Sequence, residues 1–211
     1  MKIGSPRRAR SRRGEGDRLR EEILGATEKL LISTKDIDAV SIRAVAEAVG
    51  VTPPSIYLHF THKEELILEV RERQFAAFDA YIRGAADDCD DPVSCVKAMG
   101  RAYVRYGLEH PEEYRFLFMS VTPEWAAMRV KESIEGLSGF GALVTAVQRC
   151  IDDGAFASDD AFTTACGLWT GVHGISSLLI SKPFVPWPEH EAFIEGCLDA
   201  YCRGLQEGSA S

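Results

Sequence analysis

Residues 40–70, VSIRAVAEAVGVTPPSIYLHFTHKEELILEV, set a glycine between two short helical patterns and follow them with a third. Ser41 is a suitable N-cap for a helix whose apolar positions Ile42, Val45, Ala46 and Val49 share one face. Gly50 suits the left-handed turn that ends such a helix. Thr52 caps the next segment, Pro53 falls in a first turn that needs no N–H from it, and Ile56 points inward. Thr61-His62-Lys63-Glu64 has capping-box spacing and opens a long helix carrying Leu66, Ile67, Val70, Phe78, Tyr81 and Ile82, ending near Gly84. Two short helices locked by a glycine turn leave few folds open.

The remainder extends the helical pattern. Leu19, Ile23, Ala26 and Leu30 repeat on one face of a helix that runs out near Ser33-Thr34. Asp91-Pro92, His110-Pro111-Glu112 and Thr122-Pro123-Glu124 each place proline where a helix begins. The spacing predicts helices over 92–109, 111–120, 123–153, 159–181 and 188–206; Gly136, Gly139 and Gly141 weaken the third, as two helices or one kinked one. No alternating stretch reads as a strand, so the expected class is all-α.

Helix, glycine turn and short helix form the grammar of a helix-turn-helix, in which one helix braces a second that enters the major groove. At these residues the chain resembles the TetR family of transcriptional regulators. The resemblance rests on Ser41, Ala46-Glu47-Ala48-Val49-Gly50-Val51, Tyr57-Leu58-His59-Phe60 and Lys63, and covers about residues 19–70. It implies an N-terminal three-helix DNA-binding domain, a helical ligand-binding and dimerisation domain, and more often repression than activation.

The candidate DNA-facing set is Ser41, Arg43, Thr52, Pro53, Pro54, Ser55, Tyr57, His59 and Lys63. Lys63, in a first helical turn, combines an ammonium with oriented N–H groups and suits a phosphate. Ser41 and Tyr57 carry hydroxyls suited to the DNA backbone, which positions without reading sequence. His59 is either a further phosphate contact or a residue that orders the turn. Arg43 is the candidate for bidentate guanine readout, with a phosphate contact or solvated charge as the other reading. Pro53, Pro54 and Ser55 offer ring and hydroxyl surface that suits a thymine methyl but few directional hydrogen bonds. The paired prolines depart from the usual small, polar or basic residues there, so direct base readout is thin.

Charge is unevenly divided. The 211 residues carry a formal −8, which by itself argues against nucleic acid, yet residues 1–20 hold eight basic side chains against two acidic ones. Residues 74–211 hold ten against twenty. Arg7 to Arg13 lie in a stretch without large apolar residues, a composition of disorder, and form an arm that suits an adjacent minor groove. The domains are accordingly expected as a basic arm at 1–17, a DNA-binding domain at 18–84 including the long connecting helix, and a regulatory domain at 85–211.

Leu168-Trp169-Thr170-Gly171-Val172-His173-Gly174 is similar to the WHG-type C-terminal domain of part of this family. Trp169 and His173, at i and i+4, share a helix face. With Phe78, Tyr103, Tyr106, Phe118 and Trp125 they are the candidate pocket for a small apolar or amphipathic effector, although aromatic residues at helical spacing are also ordinary core. Phe162, Trp169, Val172, Leu179 and Ile194, Cys197, Leu198, Tyr201, Leu205 mark apolar faces on the last two helices, fitting either a twofold four-helix interface or the chain's own core. The partners implied are double-stranded DNA with a palindromic operator, a small-molecule effector and a second copy of the chain.

Other classes find little support. The five histidines are scattered, and no H-E-x-x-H, G-x-S-x-G, P-loop or dinucleotide-binding glycine pattern occurs, so an all-α enzyme is the weaker alternative and no metal or cofactor is expected. The six cysteines form no C-x-x-C pair; Cys89, among Asp87, Asp88, Asp90 and Asp91, has neighbours that disfavour thiolate. No h-region follows the basic start and no long uncharged apolar run occurs, so the expectation is a cytoplasmic protein without a membrane span. A nonspecific nucleoid-type DNA-binding protein remains an alternative to a regulator.

Overall fold

A computed structural model describes residues 15–87, 89–120 and 139–207, so the arginine arm, Trp125 and most of the 123–153 segment fall outside it. Among the described residues all regular structure is helical, as expected. The order is α1 (Glu15–Thr34), α2 (Ile42–Val49), α3 (Pro53–Ile56), α4 (Lys63–Gly84), α5 (Pro92–Glu109), α6 (Pro111–Tyr114), a π-helical turn (Arg115–Met119), α7 (Gly139–Asp152), α8 (Ala161–Ser181) and α9 (His190–Glu207). The chain divides into two compact units: residues 1–74 with 115–120, and residues 75–114 with 121–211.

In the first unit Ile23, Leu24 and Leu31 of α1, Val45 of α2, Ile56 of α3, and Phe60, Leu66 and Val70 are all buried. Each aliphatic side chain removed from water contributes about 1.5–3 kcal/mol, and this core outweighs the local charges in holding the three-helix head. Three polar links join α1 to the first half of α4: Arg20 grips Glu69 with both terminal nitrogens, Arg73 grips Glu21, and Gln74 donates to Glu28. The Arg20 guanidinium also lies over the Phe60 ring, 4.9 Å from its centre.

The α4 cap departs from the expected box. The helix starts at Lys63, so His62 is the N-cap; its Nδ1 accepts from Glu65 N at 3.1 Å while the Glu65 carboxylate accepts from Thr61 N at 2.6 Å. Glu65, not Glu64, therefore closes the reciprocal pair. The hydrogen bonds from Thr61 hold the Glu65 carboxyl below the usual range. Expected helix 111–120 is likewise broken: after Tyr114 the chain widens into the π-helical turn, where Leu117 O accepts from Arg71 Nη2 at 2.9 Å and the Arg71 guanidinium faces the Phe116 ring.

In the second unit α5 packs against α7, α8 and α9. Asp91 caps it, accepting from Ser94 N at 2.7 Å, and Pro92 fills the first turn as its sequence suggested. Along one side Lys97, Arg101 and Arg105 pair with Asp199, Glu195 and Glu191 of antiparallel α9, one rung per helical turn. Between the first two rungs, a Cβ on Gly100 would stand 2.6 Å from Leu198 Cδ2, so that leucine seats itself where no side chain exists. Val172, Leu179, Ile194 and Leu198 are buried in the chain's own core, which decides their reading as intrachain contacts.

Candidate functional site

The helix-turn-helix is built by local chemistry. Ser41 adopts extended backbone and its Oγ accepts from Ala44 N at 3.2 Å, starting α2. Accepting leaves the hydroxyl proton available to an outside acceptor. At the other end Gly50 takes φ 77°, and the N–H groups of Gly50 and Val51 return to Glu47 O and Ala46 O. This Schellman closure turns the chain sharply into α3, and a side chain at position 50 would be strained there.

Thr52 sits at the α3 N-cap but its side chain makes no capping bond; Oγ1 lies 3.1 Å from Ser55 Oγ instead. The prolines explain the difference. Pro53 and Pro54 bring no N–H, and the first available donor, Ser55 N, bonds the Thr52 carbonyl at 2.8 Å. α3 is a single turn, and Tyr57, Leu58 and His59 continue it as a turn before Phe60 returns to the core. Tyr57 is 54% exposed and Leu58 84%.

Of the sequence-predicted set, Ser41, Arg43, Thr52, Pro54 and Tyr57 are exposed and Pro53, Ser55, His59 and Lys63 half-buried; Glu47, Ala48 and Leu58 are exposed beside them. Arg43 has no hydrogen-bond or ion-pair partner among the described residues. Lys63 differs: its Nζ donates to Ile37 O at 3.0 Å, tying the α1–α2 connection to α4 and leaving two ammonium protons. Arg18, Arg20 and Arg73 are engaged by Glu22, Glu69 and Glu21. Leu58 is absent from the sequence-based set; its signal was an apolar residue two positions past the inward Ile56 and next to a tyrosine, off the buried face.

The second unit holds a polar cluster within aromatic walls. Tyr103 Oη lies 3.2 Å and Tyr114 Oη 2.7 Å from His173 Nδ1, the two phenol oxygens are 3.3 Å apart, and Trp169 Nε1 donates to Tyr103 Oη at 3.1 Å. Ser177 Oγ is 3.2 Å from His173 Nε2. Burial pushes the His173 pKa down and those of both tyrosines up, so all three are neutral near pH 7. Phe78 meets Tyr103 and Tyr106 edge-on at 5.3 and 5.0 Å, and Phe140 meets Trp169 at 5.6 Å.

The structure thus brings Phe78, Tyr103, Tyr106, Trp169 and His173 into one aromatic region. Phe118 clusters instead with the other compact unit, because the π-helical turn carries residues 115–120 there. Tyr114 and Ser177 complete the cluster without having been in the sequence-based set; a phenol and a hydroxyl on otherwise apolar helix faces were the available signals. Among the described residues no group of three or more His, Cys, Asp or Glu is placed to hold a metal ion, and no helix is long and apolar enough to cross a membrane.

Comparison with known proteins finds two family models on this chain. Residues 23–70 match "Bacterial regulatory proteins, tetR family", and residues 96–201 match "Tetracyclin repressor-like, C-terminal domain". A curated relative, HTH-type transcriptional regulator EthR of Mycolicibacterium smegmatis, is 30% identical over 105 residues, covering 50% of this chain and 45% of that protein. The chain therefore matches less than half the length of that relative. An uncharacterised HTH-type transcriptional regulator, YobS of Bacillus subtilis, is 21% identical over 169 residues, covering 76% and 83%. Among solved structures, a protein of unknown function from Rhodococcus sp. RHA1 superposes with a TM-score of 0.76 at 22% identity over 90% of this chain and 96% of that one. The fatty acid degradation regulator FadR of Bacillus halodurans superposes with a TM-score of 0.69 at 14% identity over 95% and 99%.

Proposed function

Because the chain belongs to the TetR family of bacterial regulators, we propose that it is a DNA-binding transcriptional regulator, a homodimer at a palindromic operator and a repressor released by a small apolar or amphipathic effector. The observation that carries the DNA-binding part is the exposed set Arg43, Tyr57 and Leu58, presented beside the Gly50 turn with Ser41 retaining a donor. Ser41, Tyr57, His59 and the remaining Lys63 protons contact phosphates, and Arg43 reads a guanine. Thr52, Pro53, Pro54, Ser55 and Leu58 lie against thymine methyls and sugar. The arm, Arg7 to Arg13, follows the neighbouring minor groove.

Dimerisation is supported by glycines with no internal reason. A Cβ at Gly167, Gly174, Gly196 or Gly204 would meet nothing within 4 Å, whereas at Gly171 it would collide with Tyr201. Glycine inside a helix costs about 0.5–1 kcal/mol relative to alanine, so open glycines on α8 and α9, with exposed Ala192 and Ala200, fit a surface that a second copy approaches closely. The effector sits against Phe78, Tyr103, Tyr106, Trp169 and His173 and acts by preferring the conformer whose heads miss their half-sites; equal binding to both conformers would shift nothing.

Footprinting the full-length protein on DNA upstream of its own gene tests the reading. A protected palindrome with half-sites about one helical turn apart is the expected result. Uniform protection without operator preference would sink the regulator and favour the nucleoid-type alternative. Removal of residues 1–14 is expected to lower affinity and flatten its dependence on salt; an unchanged slope removes the arm from the interface.

A further inference from the structure

All six cysteines fall within residues 75–114 and 121–211, and four of them, Cys89, Cys95, Cys150 and Cys202, lie near one another. Cys95 near the start of α5, Cys150 near the end of α7 and Cys202 near the end of α9 are buried, while Cys89, in the connection before α5, is only half-buried. The connection folds back on the helix: the Cys95 thiol donates to the Cys89 carbonyl at 3.3 Å, which sets the two cysteines side by side. Cys89 in turn donates to Ala85 O at 3.9 Å. The fold thus holds one accessible thiol against one shielded thiol, six residues apart.

We propose that Cys89 and Cys95 form an oxidation-sensitive pair that closes to a disulfide on exposure to a hydroperoxide. The Cys89 thiolate attacks the terminal peroxide oxygen, breaking the O–O bond; the alcohol or water leaves with a proton, and Cys89 becomes a sulfenic acid. The Cys95 thiol then displaces water from that sulfur and forms the S–S bond, so two thiols are oxidised by two electrons while one hydroperoxide is reduced to alcohol and water. Cys150 and Cys202 are too shielded for the first step.

The surroundings define the character of the pair. Asp87, Asp90 and Asp91 flank Cys89 in sequence and repel the anionic glutathione couple, which favours a small neutral oxidant. Burial pushes the Cys95 thiol up, keeping it protonated until Cys89 has been oxidised beside it. The product bond ties the connection after α4 to the start of α5.

The test uses the full-length protein treated with hydrogen peroxide, denatured, alkylated and cut with trypsin, which leaves both cysteines in the peptide spanning residues 84–97. The expected peptide is about 2 Da lighter than its reduced form, carries no alkyl group, and returns to the doubly alkylated form after dithiothreitol. Cys95→Ser is expected to lose that product and leave a Cys89 sulfenic acid that dimedone traps. A wild-type peptide in which Cys95 remains alkylatable while Cys89 is oxidised, or in which both remain alkylatable under conditions that oxidise the other cysteines, overturns the pair.

Discussion

Tyr114 Oη and His173 Nδ1 stand 2.7 Å apart with their rings stacked at 26°, joining a fully buried phenol to the one histidine of α8. The bond satisfies a polar group that has no route to water. His173→Phe keeps the ring volume but takes away the nearest polar partner of the Tyr114 hydroxyl, and is expected to lower stability by about 1–3 kcal/mol. Tyr114→Phe in the same background should restore part of the loss; urea midpoints across the double-mutant cycle measure the coupling, and additive effects would show that the pair is energetically idle.

The same pair sets a pH dependence. Burial depresses the His173 pKa below its ordinary value near 6.5, so below about pH 6.5 the unfolded chain takes up a proton that the folded chain refuses. Stability from this residue is complete above that pH and declines as pH falls toward the folded value. Among the described residues the ring's neighbours include Tyr103, Tyr114, Trp169 and Ser177, none of which titrates in that range. Urea unfolding at pH 7.5 and 5.5 should show a loss that His173→Phe reduces; equal losses in both proteins would remove His173 from the effect.

Arg43→Ala and Tyr57→Phe separate reading from positioning. Arg43→Ala is expected to cost about 1–3 kcal/mol of operator affinity and to relax preference at one base pair per half-site. Tyr57→Phe should weaken all sequences alike. If Arg43→Ala is also uniform, with the salt slope reduced by about one, the arginine holds a phosphate and base readout must come from elsewhere.

Gly196→Leu tests the second copy. The position is open within the chain, so the variant should keep its helical signal, while sedimentation shifts from dimer toward monomer. A dimer of unchanged affinity would place the interface elsewhere.

The α4 cap offers a direct local measurement. His62→Ala removes the acceptor for Glu65 N and is expected to lower stability by about 0.5–2 kcal/mol, whereas His62→Asn should retain most of it. Equal melting temperatures for all three proteins would show the bond contributes nothing.

What could be read from the chain beforehand was governed by locality. Ser41, Gly50, Asp91 and Pro92 act on neighbours within one helical turn, so α2 and α5 were legible to the residue. The α4 cap slipped by one because His62 can serve as an acceptor where a hydroxyl was assumed, moving the reciprocal carboxylate from Glu64 to Glu65. Lys63 with Ile37, Tyr114 with His173, and Arg71 with Leu117 join residues 26, 59 and 46 apart, and no periodicity encodes such meetings. Leu58 was overlooked for a different reason: α3 ends after one turn, and the turn that follows leaves the leucine exposed.

The three rungs between α5 and α9 carry an ambiguity that charge alone leaves open. Slid by one helical turn, Lys97 would face Glu195 and Arg101 would face Glu191, so two of three attractions would survive a wrong alignment. Repeated charges fasten two rods without choosing a notch. The notch is Gly100, the place along α5 where Leu198 finds no side chain in its way. Gly100 therefore acts as the index mark of the pair, and filling it with a methyl group would leave the charges in place while removing the feature that tells them which partner is theirs.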